Sequence, residues 1–241
     1  MNTIKFAHGN AKVVAHRGVS KLEKENTQLA FVAAGNRSYW GVETDVRCTA
    51  DGNFIILHDE NTARVSGGQH SYVPEQTDLA TLRALELAET DGSTGHPYLR
   101  LPTLEEYIRV CKKYEKECVL ELKTEMTEAQ TREMLARIEA EGYLEHVVFI
   151  SFLFEDLVHI RKILPNQKVQ FLFGAYSDEL FERLKQYRFD VDVAHSHLTE
   201  ELVKKYHGAG MEINCWTVDD PADAERLAAW GVDYITSNIL E

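Results

Sequence analysis

Seven polar residues stand at or beside the ends of short apolar runs, and their types suit one kind of chemistry. His16 and Arg17 follow "KVVA", Glu43 and Asp45 sit two apart in "GVETDV", His58 ends "FIILH", and Glu121 and Lys123 sit two apart in "CVLELK". Three carboxylates offer the hard oxygen ligands that Mg²⁺ or Ca²⁺ takes, whereas zinc would more often recruit histidine or cysteine. Two histidines beside such a cation make a general acid–base pair, each worth ~10²–10⁴-fold in rate. Arg17 brings a two-pronged fork for phosphate oxygens and Lys123 a point charge. The set fits an in-line displacement at phosphorus. One histidine would deprotonate the nucleophile and the other protonate the leaving oxygen, while the cations counter the charge of a phosphodiester in its transition state.

These residues are far apart in the chain, so a fold must gather them. Strands are predicted over residues 12–16, 41–46, 54–58, 118–123, 146–151, 168–173, 190–195, 211–218 and 233–236. Between most of them lie helical patterns, such as 103–117, where Leu104, Tyr107, Ile108 and Cys111 share a face. Thr103 with Glu106 reads as a capping box, Gly142 and Gly231 as helix stops, and Pro221 as a first-turn residue. Such alternation predicts parallel strands joined by right-handed crossovers. A (β/α)8 barrel is the expected architecture, and an open doubly wound sheet the alternative. A ninth strand is explained by "RCTADGN", whose Asp51-Gly52 signals a hairpin between 41–46 and 54–58 and sets Asp45 roughly opposite His58. Residues 59–101 fit no strand–helix unit. They hold Gly67-Gly68, a helical pattern over 78–89 and a loop over 90–97, and read as an insertion over part of the barrel mouth of a single domain spanning 1–241.

In such a barrel the chemistry lies at the C-terminal ends of the strands. Those ends carry the seven residues above together with Ser151, His195, Trp216, Thr236 and Ser237. Side chains alternate along a strand, so Glu43 shares a face with Asp45, and Glu121 with Lys123. Alone, Glu43 and Asp45 read equally well as ion-pair partners of Arg47 or Lys123. Glu121, from a different strand, tips the balance toward a metal. A lone strand-end histidine is more often structural, but two beside one metal site reverse that reading. Trp216 reads as core or as an apolar platform for one side of a substrate. Asn26 or Thr27 reads as the N-cap of the helix that follows, and Glu25 as a solvated residue or a partner of the site.

The chain carries 39 acidic and 26 basic residues, a net charge of −13. That speaks against binding nucleic acid or an anionic membrane through a broad surface field, while leaving room for a local cationic pocket. Cys48, Cys111, Cys118 and Cys215 show no Cys-x-x-Cys spacing, which suits reduced thiols in a cytoplasm. The N-terminus lacks the apolar run of a signal peptide, and no segment approaches the ~18 apolar residues of a membrane span. A cytoplasmic protein with no stable membrane association is expected; the sequence carries no signature of oligomeric state.

Taken in chain order, "AHRG", "ENT", "ETDV", "DG", "HD", "LPTLEE", "ELK" and "WTV" resemble the glycerophosphodiester phosphodiesterases over residues 15–218. The closing "GVDYITSN" resembles that family's last strand. The resemblance implies a (β/α)8 barrel with a small inserted cap, a divalent metal (Mg²⁺ or Ca²⁺), and hydrolysis of glycerophosphodiesters to sn-glycerol 3-phosphate and an alcohol. It implies that His16 and His58 are the acid–base pair and that Glu43, Asp45 and Glu121 hold the metal. Arg17 and Lys123 would contact the phosphate, and Trp216 would form a platform on the glycerol side. One rival is a lipid-directed relative acting on lysophospholipids or sphingomyelin, with or without cyclisation of the product. The other is a barrel that binds glycerophosphodiesters without catalysis, which predicts the loss of a histidine or carboxylate; all five are present.

Overall fold

The β-branched runs form strands and the amphipathic stretches form helices in the computed structural model, which describes residues 2–241. In chain order they are β1 (Lys12–Ala15), α1 (Gln28–Gly35), β2 (Gly41–Cys48), β3 (Phe54–Ile56), α2 (Leu79–Ala84), α3 (Leu104–Lys113) and β4 (Glu117–Leu122). Then follow α4 (Glu128–Ala140), β5 (Val147–Ser151), α5 (Phe154–Ile163), β6 (Val169–Phe173), α6 (Asp178–Tyr187) and β7 (Asp190–Ala194). The chain ends with α7 (Glu200–Gly208), β8 (Ile213–Trp216), α8 (Pro221–Trp230) and β9 (Tyr234–Ser237). Strand β1 pairs in parallel with both β2 and β9, so eight parallel strands close into a (β/α)8 barrel and not an open sheet.

The ninth strand is the expected hairpin arm. β3 runs antiparallel to β2 and takes up its edge beyond Gly41 and Val42, the two residues that pair with β1. Its register differs by one residue from the expectation. The Thr49 amide donates to the Asn53 carbonyl (2.8 Å), which fixes the pairing so that the Leu57 amide meets the Asp45 carbonyl (3.0 Å). His58 therefore stands one residue past the position opposite Asp45, just beyond the end of β3.

Alternation along the strands separates two apolar cores. On β4, Cys118, Leu120 and Leu122 face the helices, while Val119 joins Val14, Val148, Ile150, Leu172 and Tyr234 inside the barrel. Both faces are covered, so the strands read as near-continuous apolar runs. Helix α3 shows how the outer layer is held. Its Leu104, Tyr107, Ile108 and Cys111 are buried, each large apolar side chain contributing roughly 1.5–3 kcal/mol, and Tyr107 Oη donates to the Val42 carbonyl (2.7 Å). The capping box predicted for Thr103 and Glu106 is formed, and α4 has another from Thr127 and Gln130.

Residues 59–101 contain a third cluster, with Val65, Leu82, Leu85, Leu87, Leu99 and Leu101 packed beside Ile55 and Leu57. The helix expected over 78–89 stops at Ala84. Leu85 and Leu87 are buried with Glu86 exposed between them, an alternation of period two, and the Leu87 amide donates to the Leu99 carbonyl (3.0 Å).

Candidate active site

At the C-terminal end of the barrel, the loop after β1 folds tightly on itself. The His16 amide donates to the Ser237 carbonyl (2.8 Å), and Asn26 closes the loop by donating its amide to the Arg17 carbonyl (3.0 Å). Arg17 and Asn26 both adopt left-handed backbone angles, φ +53° and +55°. Non-glycine residues in that region cost energy and cluster at functional sites. Gly18 follows at φ +76°, and a Cβ there would lie 2.6 Å from the Ala30 carbonyl carbon, so only glycine lets α1 approach this closely.

The turn aims both ends of Arg17 at carboxylates. Its amide donates to Glu43 Oε2 (2.8 Å), its Nη1 donates to Glu25 Oε1 (2.9 Å), and its Nε lies 3.4 Å from Asp45 Oδ2. Asn26 is not the helix cap; Thr27 is. Asn26 instead donates from Nδ2 to Asp45 Oδ2 (2.7 Å) and accepts from Thr44 Oγ1 (2.7 Å). Glu43, Asp45 and Glu121 are all buried, and one carboxylate oxygen from each lies within 4.8 Å of the others. Lys123 Nζ bonds Glu121 Oε1 (2.8 Å) and lies 3.8 Å from Asp45 Oδ1. Arg47 turns away from Glu43 and Asp45 to Glu75 and the His58 carbonyl.

Crowding three carboxylates in a buried place separates their proton affinities. Burial, then the charges of Asp45 and Glu121, push Glu43 well above the usual carboxylate range. Burial and Asp45 push Glu121 up to about 7 against the pull of Lys123. Burial also works to raise Asp45, but Arg17, His58 and Lys123 outweigh it and hold Asp45 ionised. Asp45 Oδ1 has no hydrogen-bond partner among the described residues. A buried carboxylate oxygen without a donor is costly, and an all-oxygen cluster of this size fits a hard divalent cation.

The two histidines are oriented differently. His16 Nδ1 bonds Asn238 Oδ1 (2.7 Å), and Asn238 Nδ2 donates to Asp219 Oδ2 (2.8 Å), which fixes the amide with its oxygen toward the ring. His16 thus carries its proton on Nδ1 and leaves Nε2 free, 3.9 Å from Glu43 Oε2. His58 Nδ1 bonds Asp59 Oδ1 (2.8 Å), again leaving Nε2 free. Burial lowers both imidazole pKa values below the ordinary one, with Arg17 adding to the effect.

His16, Arg17, Glu43, His58, Glu121, Lys123 and Trp216 line one cavity of about 100 Å³, together with Ile150, Phe152, Leu172, Asp192, Thr217 and Thr236. Asp45 lies against its wall through Arg17 and Lys123. Its apolar lining is Ile150, Leu172, Phe152 and Trp216, with Phe152 set edge-on to Trp216 at 5.7 Å between ring centres. Ser151, Ser237 and His195 do not line it. Ser151 Oγ is spent on the Leu122 carbonyl and Ser237 Oγ on Asp219, while His195 starts a short 3-10 turn after β7. A larger cavity of about 600 Å³ opens elsewhere, lined by Lys12, Trp40, Lys168 and neighbouring residues, with none of this constellation.

Four residues that orient the site carry no assigned role in the sequence reading: Asp59, Arg64, Asp219 and Asn238. Asp59 had a signal in its adjacency to His58. Asn238 stands two residues after Thr236 and so on the inward face of the chain leaving β9, which the alternation rule could have found. Arg64 lies in a stretch with no periodic pattern and offered none.

Known proteins of one kind resemble the chain over nearly its whole length. The model of the Glycerophosphoryl diester phosphodiesterase family matches residues 16–240. A glycerophosphodiester phosphodiesterase of Caldanaerobacter subterraneus subsp. tengcongensis is 27% identical over 231 residues, covering 94% of this chain and 93% of its own. One from Bacillus subtilis is 28% identical over 243 residues, covering 93% and 82%. Among solved structures, a phosphodiesterase of Oleispira antarctica in complex with the product sn-glycerol-3-phosphate superposes with a TM-score of 0.82 at 27% identity, covering 95% of this chain and 93% of that one.

Proposed function

The chain belongs to the glycerophosphoryl diester phosphodiesterase family and is a phosphoric diester hydrolase, and from that premise we propose that it hydrolyses glycerophosphodiesters to sn-glycerol 3-phosphate and an alcohol, with a divalent cation and with His16 and His58 as the acid–base pair. The observation that carries this reading is the meeting of two Nε2-free histidines, a fork-bearing arginine and a buried carboxylate trio around one cavity.

Glu43, Asp45 and Glu121 would hold Mg²⁺ or Ca²⁺; the buried, partnerless Asp45 Oδ1 and the all-oxygen donor set support the fit. When bound, the cation supplies Lewis-acid stabilisation of charge on the phosphoryl oxygens. The chain's own residues do the rest. Arg17 and Lys123 grip the phosphate, the first as a fork and the second as a point charge. Lowered pKa values keep both imidazoles neutral near pH 7, so one Nε2 can take the proton of the attacking oxygen. The other histidine takes a proton from solvent at its Nε2 and gives it to the leaving oxygen, and the first returns to solvent the proton it took, so the cycle closes with both imidazoles neutral again. Trp216 and Phe152 offer an apolar wall to the carbon skeleton of the glycerol.

Residues 59–101 serve in this reading as a cap beside the mouth. Four buried free thiols suit a reducing compartment, in keeping with a cytoplasmic enzyme of small molecules. Among the described residues no helix is long and apolar enough to cross a membrane. The test is product analysis. Purified protein is incubated with glycerophosphocholine, glycerophosphoethanolamine and a lysophospholipid, with Mg²⁺, Ca²⁺ or EDTA. Glycerol 3-phosphate from the first two, abolished by EDTA, is the expected result. A cyclic phosphate, cleavage of the lysophospholipid alone, or no product would overturn the reading.

A further inference from the structure

We propose that Arg64 is a positioning residue of this site, holding Arg17 and His58 in place at once through Glu25 and Asp59. The inference rests on the roles proposed above for Arg17 and His58. Arg64 belongs to the stretch after β3, outside the barrel strands, yet its guanidinium makes four hydrogen bonds to two carboxylates. Toward Glu25, Nη1 donates to Oε2 and Nη2 to Oε1, each at 2.8 Å. Toward Asp59, Nε donates to Oδ2 (2.7 Å) and Nη2 to Oδ1 (2.9 Å).

The choice of oxygens matters. Glu25 Oε1 is the atom that also accepts from Arg17 Nη1 (2.9 Å), and Asp59 Oδ1 is the atom bonded to His58 Nδ1 (2.8 Å). A single nitrogen, Arg64 Nη2, therefore touches both oxygens that hold the site residues. Without it, Glu25 would keep only Arg17 and Asp59 only the His58 N–H as partner, and both would be free to rotate about their side-chain bonds. The Arg17 fork and the His58 tautomer would loosen together. Only a planar fork can engage two carboxylates in this way, so an ammonium group is a poor substitute. The Arg64 side chain is 49% exposed, and exposed ion pairs add little to stability, so its removal should disturb position more than folding. Glu25 responds as a carboxylate so held: burial would raise it, but Arg64 and Arg17 bring it down to about 2.

The experiment compares wild type, Arg64→Ala and Arg64→Lys for release of glycerol 3-phosphate at saturating metal. The same comparison is repeated in Glu25→Gln and Asp59→Asn backgrounds. Arg64→Ala should lose about 10²-fold in kcat/KM, the scale of a misplacement near 1 Å, with a melting midpoint no lower than that of Glu25→Gln and with most of the loss in kcat. Arg64→Lys should recover only a small part, and added guanidinium ion should partly restore Arg64→Ala. In either carboxamide background Arg64→Ala should cost much less than in wild type. Independently of turnover, ¹⁵N NMR of the His58 imidazole should show a single protonated-Nδ1 tautomer in wild type and a mixture in Arg64→Ala. A wild type that releases no glycerol 3-phosphate would sink the proposed function while leaving the NMR comparison decisive for Arg64. Unchanged His58 resonances in Arg64→Ala, or equal losses in all backgrounds, would overturn the positioning role.

Discussion

Replacing Gly18 with alanine should destabilise the chain by about 3 kcal/mol, a figure assembled from two costs. Gly18 has φ +76°, where a side chain costs roughly 1–2 kcal/mol. The new Cβ would also lie 2.6 Å from the Ala30 carbonyl carbon and Cβ and 2.7 Å from its oxygen. None of these atoms is the end of a flexible side chain, so α1 itself must move, and overpacking of this kind costs roughly 1–3 kcal/mol. At ~2–4 °C per kcal/mol for a chain of this length, the melting midpoint should fall by about 10 °C. Gly52→Ala is the matched control. Its φ is +75° but nothing lies within 4 Å of the added Cβ, so it should lose only about 1 kcal/mol. Urea denaturation followed by circular dichroism reads both. The displacement of α1 also pulls on Thr27, its N-cap, and on Asn26 before it, which bonds Asp45; activity should fall in Gly18→Ala and not in Gly52→Ala. Equal destabilisation of the two variants would refute the argument, because it would mean that the approach of α1 to this loop costs nothing to disturb.

Metal binding should weaken as pH falls through about 7, because Glu121, raised to about 7, and Glu43, raised well above the usual carboxylate range by burial and its acidic neighbours, must shed protons to become ligands. The expected slope is about tenfold per pH unit for each proton displaced, measured by calorimetric titration with Mg²⁺ or Ca²⁺; a pH-independent affinity would remove these carboxylates from the ligand set. Glu121→Gln should weaken the same binding at neutral pH while leaving the circular dichroism spectrum unchanged, and unaltered affinity would exclude Glu121 as a ligand. Glu25 titrates in the other sense. Its folded pKa of about 2 lies below the ordinary 4.5, so its stabilising contribution is present above pH 4.5 and lost as pH falls toward 2. Glu25→Gln should therefore melt below wild type at neutral pH and converge with it near pH 2, and a constant gap would contradict the assignment.

The parts of the site that could be read in the sequence are those that one rule delivers together. A strand end with period-two alternation gives Glu43 with Asp45, Glu121 with Lys123, and His16 at the end of β1, because in a closed barrel every strand end points to one mouth. The barrel itself followed from strand–helix repetition, since each run is long enough to show its period. What escaped depends on contacts between distant segments. Asn26 reads as a cap until Asp45 is seen beside it, and Asn238, though its place on the inward face was legible, shows no partner until β9 is laid against β1 and brings it to His16. The hairpin register slipped by one residue because hydrogen bonding in the turn, not the turn dipeptide, sets it. Residues 78–89 misled because leucines at 82 and 85 satisfy a helical spacing while those at 85 and 87 satisfy an extended one. Arg64 had no pattern to betray it.

The decisive measurement is the rate at which His16→Ala releases glycerol 3-phosphate from a glycerophosphodiester at saturating Mg²⁺ or Ca²⁺, set beside wild type and beside the circular dichroism spectra of both. Wild type should turn over, and the variant should lose at least ~10²-fold in kcat with an unchanged spectrum, the share expected of a positioned proton-transfer group. A variant that keeps the wild-type rate would contradict the assignment of His16, and with it the reading of this cavity as the place where the phosphodiester is cleaved.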